Sequence, residues 1–266
     1  MVTKQSVTSS DGTKIAFDRT GSGSPLVLVH GTAGDHGDWR SVRPLLGEHF
    51  TVYALDRRGR GQSGDADPYA LEREFEDIAA VVDSIDQPVT LFGHSFGGLC
   101  SLEAALLTDN LERLVLYEPL IPVDGGVLVS QETLGRLEKL LSREERDAAL
   151  TMFLQEMVGV SEREIEAIKG GPEWQAGVSA VHTVPRETRA LNEYLFDSSR
   201  FANLEYNTIL LLGEESPEYL QRFTEVVAEA LPHRRVVSLS GQGHAGMNTN
   251  PEQFANTLID LIDVPQ

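Results

Sequence analysis

Ser95 stands in the run Leu91-Phe92-Gly93-His94-Ser95-Phe96-Gly97-Gly98, between an apolar stretch of strand character and an alanine-containing stretch of helix character. Glycines two residues to either side allow a sharp turn where a side chain would strike the neighbouring strand or helix. A serine on such a turn is lifted above a sheet edge. Its hydroxyl is then a candidate nucleophile for a carbonyl carbon, given a base to take its proton. The amide of Phe96, at the start of the following helix, can face an oxygen gaining negative charge. One turn therefore offers a nucleophile and half of an oxyanion hole.

The other half has its own signal. Leu26-Val27-Leu28-Val29 reads as a buried strand running into His30-Gly31-Thr32-Ala33-Gly34, which places the Thr32 amide opposite that of Phe96. His30, at the strand-loop junction, is read as a loop anchor rather than a proton carrier. Of the seven histidines, His244 has the setting a general base needs. It lies in Gly241-Gln242-Gly243-His244-Ala245-Gly246, after the short strand Arg235 to Leu239 and before a helix opened by Asn250-Pro251-Glu252. Flanking glycines let that loop approach another closely. His94, beside the nucleophile, is expected to pack under the oxyanion region. No H-E-x-x-H helix and no cysteine pair argues for a metal, and the chemistry calls for no cofactor.

Taken together, His30-Gly31, Asp56-Arg57-Arg58-Gly59-Arg60-Gly61-Gln62-Ser63, Gly93 to Gly98 and Gly243-His244 resemble the α/β-hydrolase superfamily, in its cap-bearing branch of small-molecule esterases. The resemblance implies an α/β fold: a mostly parallel eight-stranded sheet with helices on both faces and a helical cap. The core would comprise residues 1–122 and 203–266, with the cap inserted as 123–202. It also implies an oxyanion donor at Thr32. The Asp56 to Ser63 stretch becomes mainly a structural loop, so Arg58 and Ser63 are expected to organise it rather than touch substrate. Related dehalogenases and epoxide hydrolases carry aspartate where this chain has Ser95, which disfavours those reactions.

The third member of a triad departs from the pattern. The superfamily usually places an aspartate three residues after the glycine that ends the strand before the histidine strand. Here the strand is Thr208 to Leu212, the glycine is Gly213, and the position holds Ser216. Serine cannot carry the negative charge an imidazolium needs. Glu118, directly after the strand Arg113 to Tyr117, is the first alternative, and some superfamily members resemble that arrangement. Glu215 is the second; Glu214, Asp124 or no acid at all complete the set.

The elements that must position these residues alternate. A hairpin turns at Asp11-Gly12, strands follow at 26–29, 50–55 and 89–92, and helices fall at 39–46 and 71–85. From about 130 to 200 the pattern becomes helical, with segments Gln131 to Leu141, Ser142 to Val158 opened by a capping box Ser142-Arg143-Glu144-Glu145, Ser161 to Lys169, Pro172 to Val181, and Pro185 to Leu195. This block would cover Ser95 as a lid. Leu134, Leu137, Leu141, Phe153, Leu154, Met157, Trp174, Val178, Val181 and Phe196 supply its apolar stripes. Met157 and Trp174 are the better pocket candidates, with Trp39 on the opposite wall.

Composition bounds the partners. Lys and Arg total 22 against 41 Asp and Glu, a net charge of −19. That balance disfavours nucleic-acid backbones and anionic membranes, leaving a small molecule as the partner. The opening residues lack the apolar centre of a secretory signal, so a cytoplasmic location is expected. Cys100 is the single cysteine and reads as core filler. The expected activity is ester or related acyl hydrolysis through an acyl-enzyme. Carbon-carbon bond hydrolysis, cofactor-free lyase or peroxide chemistry, and small-molecule binding without turnover are the alternatives.

Overall fold

The computed structural model describes residues 2–123 and 127–263. Eight strands form one sheet: β1 (Thr3–Thr8), β2 (Lys14–Gly21), β3 (Ser24–Val29), β4 (Phe50–Leu55), β5 (Val89–His94), β6 (Leu111–Tyr117), β7 (Asn207–Gly213) and β8 (Arg234–Leu239). Their spatial order is β1-β2-β4-β3-β5-β6-β7-β8. β2 runs antiparallel to both neighbours and every later pairing is parallel. The central strands read as unbroken apolar runs because helices cover both of their faces: β4 is buried at every position, and β3 at all but Ser24.

The helices of the core are α1 (Arg43–Leu46), α2 (Leu71–Asp83) and α3 (Phe96–Ala104), with α9, α10 and α11 after β7 at Glu218–Ala230, Gly246–Thr249 and Pro251–Ile262. One apolar core includes Ile15, Phe75, Ile78, Leu99 and Val227, packed with Val27, Leu91 and Leu114 of the sheet. The opposite core includes Trp39, Phe92, Tyr117, Phe254 and Leu258. Alternation along each strand divides its side chains between the two cores. Thus Val27 and Val29 join the first, while Leu26 and Leu28 join the second.

Between β6 and β7 the chain forms α4 (Gln131–Ser142), α5 (Arg146–Met152), a wider π-helical turn Phe153–Val158, α6 (Glu162–Ile168), α7 (Pro172–Ala180) and α8 (Val184–Glu193). Leu137, Leu150, Phe153, Ile165, Trp174 and Val184 pack here into a third apolar cluster that includes Ala33 of the loop after β3. The cap therefore closes directly on that loop.

Two elements differ from the sequence reading. The segment expected as one helix over 39–46 is a 3-10 turn His36–Trp39 followed by α1, which has a proline in its first turn. The capping box expected at Ser142 is absent, since Ser142 is the last residue of α4 and its hydroxyl donates backward to the Lys139 carbonyl, 2.9 Å. The reciprocal capping box forms instead between Ser161 and Glu164 at the start of α6. Both serines precede a glutamate by three residues; the apolar content of α4 extends that helix through Ser142 and removes its capping role. Among the described residues, no helix is long and apolar enough to cross a membrane.

Candidate active site

The turn between β5 and α3 holds Ser95 at φ 55°, ψ −121°, a strained backbone for a residue with a side chain. Close packing requires the surrounding glycines. A Cβ on Gly97 would lie 2.3 Å from the His30 carbonyl oxygen and 2.6 Å from that of Val29, and one on Gly93 would lie 2.5 Å from the Gly97 carbonyl oxygen. The turn is clamped to its neighbours. The Ser95 amide donates to the Tyr117 carbonyl at 3.0 Å, and the Ser95 carbonyl accepts from Leu120 at 2.9 Å.

The loop after β3 lies against this turn, close enough that a Cβ on Gly31 would be 3.2 Å from Ser95 Cβ. Among the described residues, neither the Thr32 amide nor the Phe96 amide donates to a protein acceptor. His30 is fully buried, and burial followed by the charges of Arg57 and Arg60 holds its pKa well below the usual value. Its Nδ1–H donates to the Gly31 carbonyl at 2.8 Å and its Nε2 accepts from the Arg57 amide at 3.1 Å.

His244 is held from three sides. Glu118 Oε2 lies 2.5 Å from His244 Nδ1, while Glu118 Oε1 accepts from the Gly213 amide at 2.7 Å. The carboxylate is thus buried between the ends of β6 and β7, on a residue with φ of 45°. His94 Nε2–H donates to the His244 carbonyl at 2.9 Å, and the two rings lie 4.5 Å apart. Burial and the neighbouring His244 push the His94 pKa well down, keeping it neutral. The Tyr117 hydroxyl donates to the Gly243 carbonyl and accepts from the Gly246 amide at 3.2 Å. With Nδ1 facing a carboxylate, the proton of a neutral His244 belongs on Nδ1 and its Nε2 is left as the basic nitrogen.

The other acids are placed elsewhere. Glu214 and Glu215 are exposed, and the Glu214 carboxylate accepts from the Ser240 hydroxyl and the Gly241 amide. Ser216 is buried, and Asp124 lies outside the described residues. Trp39 is fully buried in the second core, edge-on to Phe92 at 5.4 Å, and also contacts the His94 ring. That placement makes it a support beneath the site rather than an exposed wall. Trp174 is buried in the cap cluster with its indole N–H donating to Asp147 at 2.7 Å, and half-buried Met157 packs on the same cluster. Phe196 stacks on Phe201 against the first core instead.

Arg58 and Ser63 organise their loop. Fully buried Arg58 pairs with Asp77 at 2.7 Å and Asp11 at 3.0 Å, while the Ser63 hydroxyl donates to the Asp56 carbonyl at 2.5 Å. Sequence reasoning passed over the partners of Arg57 and Arg60. Both are buried with Glu74 of α2 and Glu187 of α8, Arg57 meeting Glu74 at 3.0 Å and Glu187 at 2.6 Å. A signal was present in α2, whose acids Glu74 and Asp77 fall on its apolar face beside Leu71, Phe75 and Ile78. A cleft of about 410 Å³ opens between the Gly59 to Ser63 loop and α7, but neither Ser95 nor His244 lines it.

Comparison with known proteins supplies the context. A model of the alpha/beta hydrolase family matches residues 26–257. An alpha/beta hydrolase from Sphaerobacter thermophilus is 36% identical, with the match covering 97% of this chain and 100% of that one at a TM-score of 0.84. An esterase from Exiguobacterium antarcticum has the same fold at 21% identity, with 98% and 99% coverage and a TM-score of 0.79. RutD of Azorhizobium caulinodans is 24% identical over 257 residues, 91% of this chain and 92% of its own. The family match spans the sheet from β3 onward, the Ser95 turn and the His244 loop, so the chain belongs to the alpha/beta hydrolase family.

Proposed function

We propose that the protein hydrolyses esters of small, mainly apolar acids through an acyl-enzyme on Ser95. The observation that carries this reading is the contact between Glu118 and His244, which supplies the negative charge that Ser216 cannot. In the proposed reaction, His244 Nε2 takes the Ser95 proton as Oγ bonds to the acyl carbon. The tetrahedral oxyanion accepts from the Thr32 and Phe96 amides. Its collapse breaks the bond to the alkoxide, which takes the proton from His244. Water activated by the same nitrogen then adds to the acyl carbon, and cleavage of the Ser95 ester releases the acid. Glu118 keeps the imidazole in the required tautomer and stabilises its charged form.

The cap supports an apolar acyl group. Its cluster closes on Ala33, one residue from Thr32, with aliphatic and aromatic side chains. Turnover of p-nitrophenyl esters from acetate to octanoate, measured for wild type and Ser95→Ala together, tests the reading. Activity lost in the variant is expected, with a chain-length optimum that sizes the acyl pocket. Equal activity in both proteins would overturn serine acylation. Saturable binding of these esters with no product from either protein would favour a binding role.

A further inference from the structure

Arg57 contacts both sides of the proposed oxyanion hole, at the carbonyl preceding the Thr32 amide and at the side chain of Phe96. Its Nη1 donates to the Gly31 carbonyl at 3.0 Å, and its guanidinium lies over the Phe96 ring with Cζ 4.3 Å from the centroid. Gly31 C=O and Thr32 N–H belong to one peptide unit. In a trans peptide these groups point in opposite directions, so fixing the carbonyl fixes the line along which the amide donates. A cationic donor on that carbonyl also polarises the peptide and strengthens its N–H. His30 Nδ1–H holds the same oxygen at 2.8 Å, giving the carbonyl two donors on its far side. The second oxyanion donor sits on Phe96, whose ring the guanidinium covers.

The other face of Arg57 reaches outward. Glu74 of α2 takes its Nε at 3.1 Å and Nη2 at 3.0 Å, while Glu187 of α8 takes Nη2 at 2.6 Å. Glu187 also pairs with Arg60, whose Nη2 donates to the Thr183 hydroxyl at 3.0 Å just before α8. These groups are all buried. A buried ion pair deprived of one member leaves an uncompensated charge, so Glu187 and Arg57 hold each other in place. Glu74 and Glu187 hold the guanidinium together, and Glu187 is the one of the two that comes from the cap.

We propose that Arg57 is a positioning residue for the oxyanion hole, aiming the Thr32 amide through the Gly31 carbonyl, and that Glu187 ties this aim to seating of the cap. The proposal rests on the acyl-transfer reading above and adds the part of the molecule that sets its rate. Lysine at position 57 keeps a buried positive charge, but its single nitrogen cannot bridge Gly31, Glu74 and Glu187 together.

Steady-state hydrolysis of p-nitrophenyl acetate by wild type, Ser95→Ala, Arg57→Lys and Glu187→Gln provides the test, with thermal unfolding recorded for each. In Arg57→Lys, kcat is expected to fall about 10- to 100-fold with KM changed less than about twofold, the pattern of a weakened transition-state donor. Affinity for a trifluoromethyl ketone, which forms an oxyanion on adding Ser95, should fall by the same factor as kcat/KM. A merely structural role would leave those two losses unrelated. Glu187→Gln should lower kcat about 3- to 10-fold in the same way.

An Arg57→Lys protein that folds and keeps wild-type kcat, or loses only KM, would overturn the proposal. If that variant does not fold, unchanged kcat in a folded Arg57→Met/Glu187→Gln double variant, which removes the donor on Gly31 and one of its buried counter-charges together, overturns it instead. A loss in Arg57→Lys with no loss in Glu187→Gln would leave the aiming role and remove the tie to the cap. Activity surviving in Ser95→Ala would overturn the parent reading, which the arginine variants alone cannot do.

Discussion

Glu118 grips His244 from the end of β6, with one oxygen on the imidazole and the other on the Gly213 amide of β7. Removing the charge while keeping the shape should leave the fold intact and misplace the imidazole proton. Glu118→Gln is expected to lower kcat by about 10³- to 10⁴-fold, and Glu215→Gln to remain within about threefold of wild type, measured on one p-nitrophenyl ester. The sequence narrowed the partner of His244 to a few carboxylates through strand ends and chain order. Choosing among them required three-dimensional distance, because Glu118 and His244 are 126 residues apart. Arg57 and Glu187, 130 residues apart, were harder still. A charged residue in a polar loop looks solvated until the acids that bury it are known.

At the scale of elements, the strand-turn-helix unit around Ser95 depends on two surfaces approaching at Gly97. Its missing side chain leaves room for the carbonyls of Val29 and His30 on the adjacent strand and loop. Gly97→Ala should therefore push α3 away from β3, costing about 1–3 kcal/mol in urea unfolding and lowering kcat along with stability. Strands were the most legible elements, since β3 to β7 announce themselves as apolar runs covered on both faces. Helix starts in the cap were legible at Gln131, Ser161 and Pro172 but not at Ser142. Ser142 and Ser161 carry the same local signal, and the packing of the preceding residues decides which of them caps a helix. Replacing Ser161 with Ala should cost about 1 kcal/mol, read by thermal unfolding, while Ser142→Ala should cost less.

Across the whole molecule, the net charge of −19 and the buried arginine-glutamate network act at different pH and salt. Burial opposes ionisation of Glu74, but the charges of Arg57 and Arg60 outweigh it and hold its pKa down at about 2. A carboxylate depressed in the fold stabilises it fully above its ordinary pKa, near 4.5, and that contribution is lost as pH falls toward 2. The unfolding temperature should therefore drop steeply between about pH 4.5 and 2. Surface charge acts mainly on encounter. For a monoanionic ester, kcat/KM should rise between low salt and about 0.15 M, where the screening length shortens to about 8 Å, whereas a neutral ester should respond little.

The loop from Glu214 to Pro217 supports the histidine loop through its backbone: the Glu214 amide donates to the Leu239 carbonyl and the Glu215 amide to that of Gln242. Its exposed Glu215 side chain carries no hydrogen bond of its own among the described residues. Position 215 is accordingly a place to attach a fluorescent or spin label, one hydrogen bond from Gln242 and two residues along the chain from His244. Buried Cys100, whose thiol is pushed up by burial, would not compete for a thiol-directed reagent. Such a probe would report movement of the histidine loop in the proposed reaction from a side chain that takes no part in it, making the neighbour of Ser216, where the usual acid is absent, a vantage point on that loop.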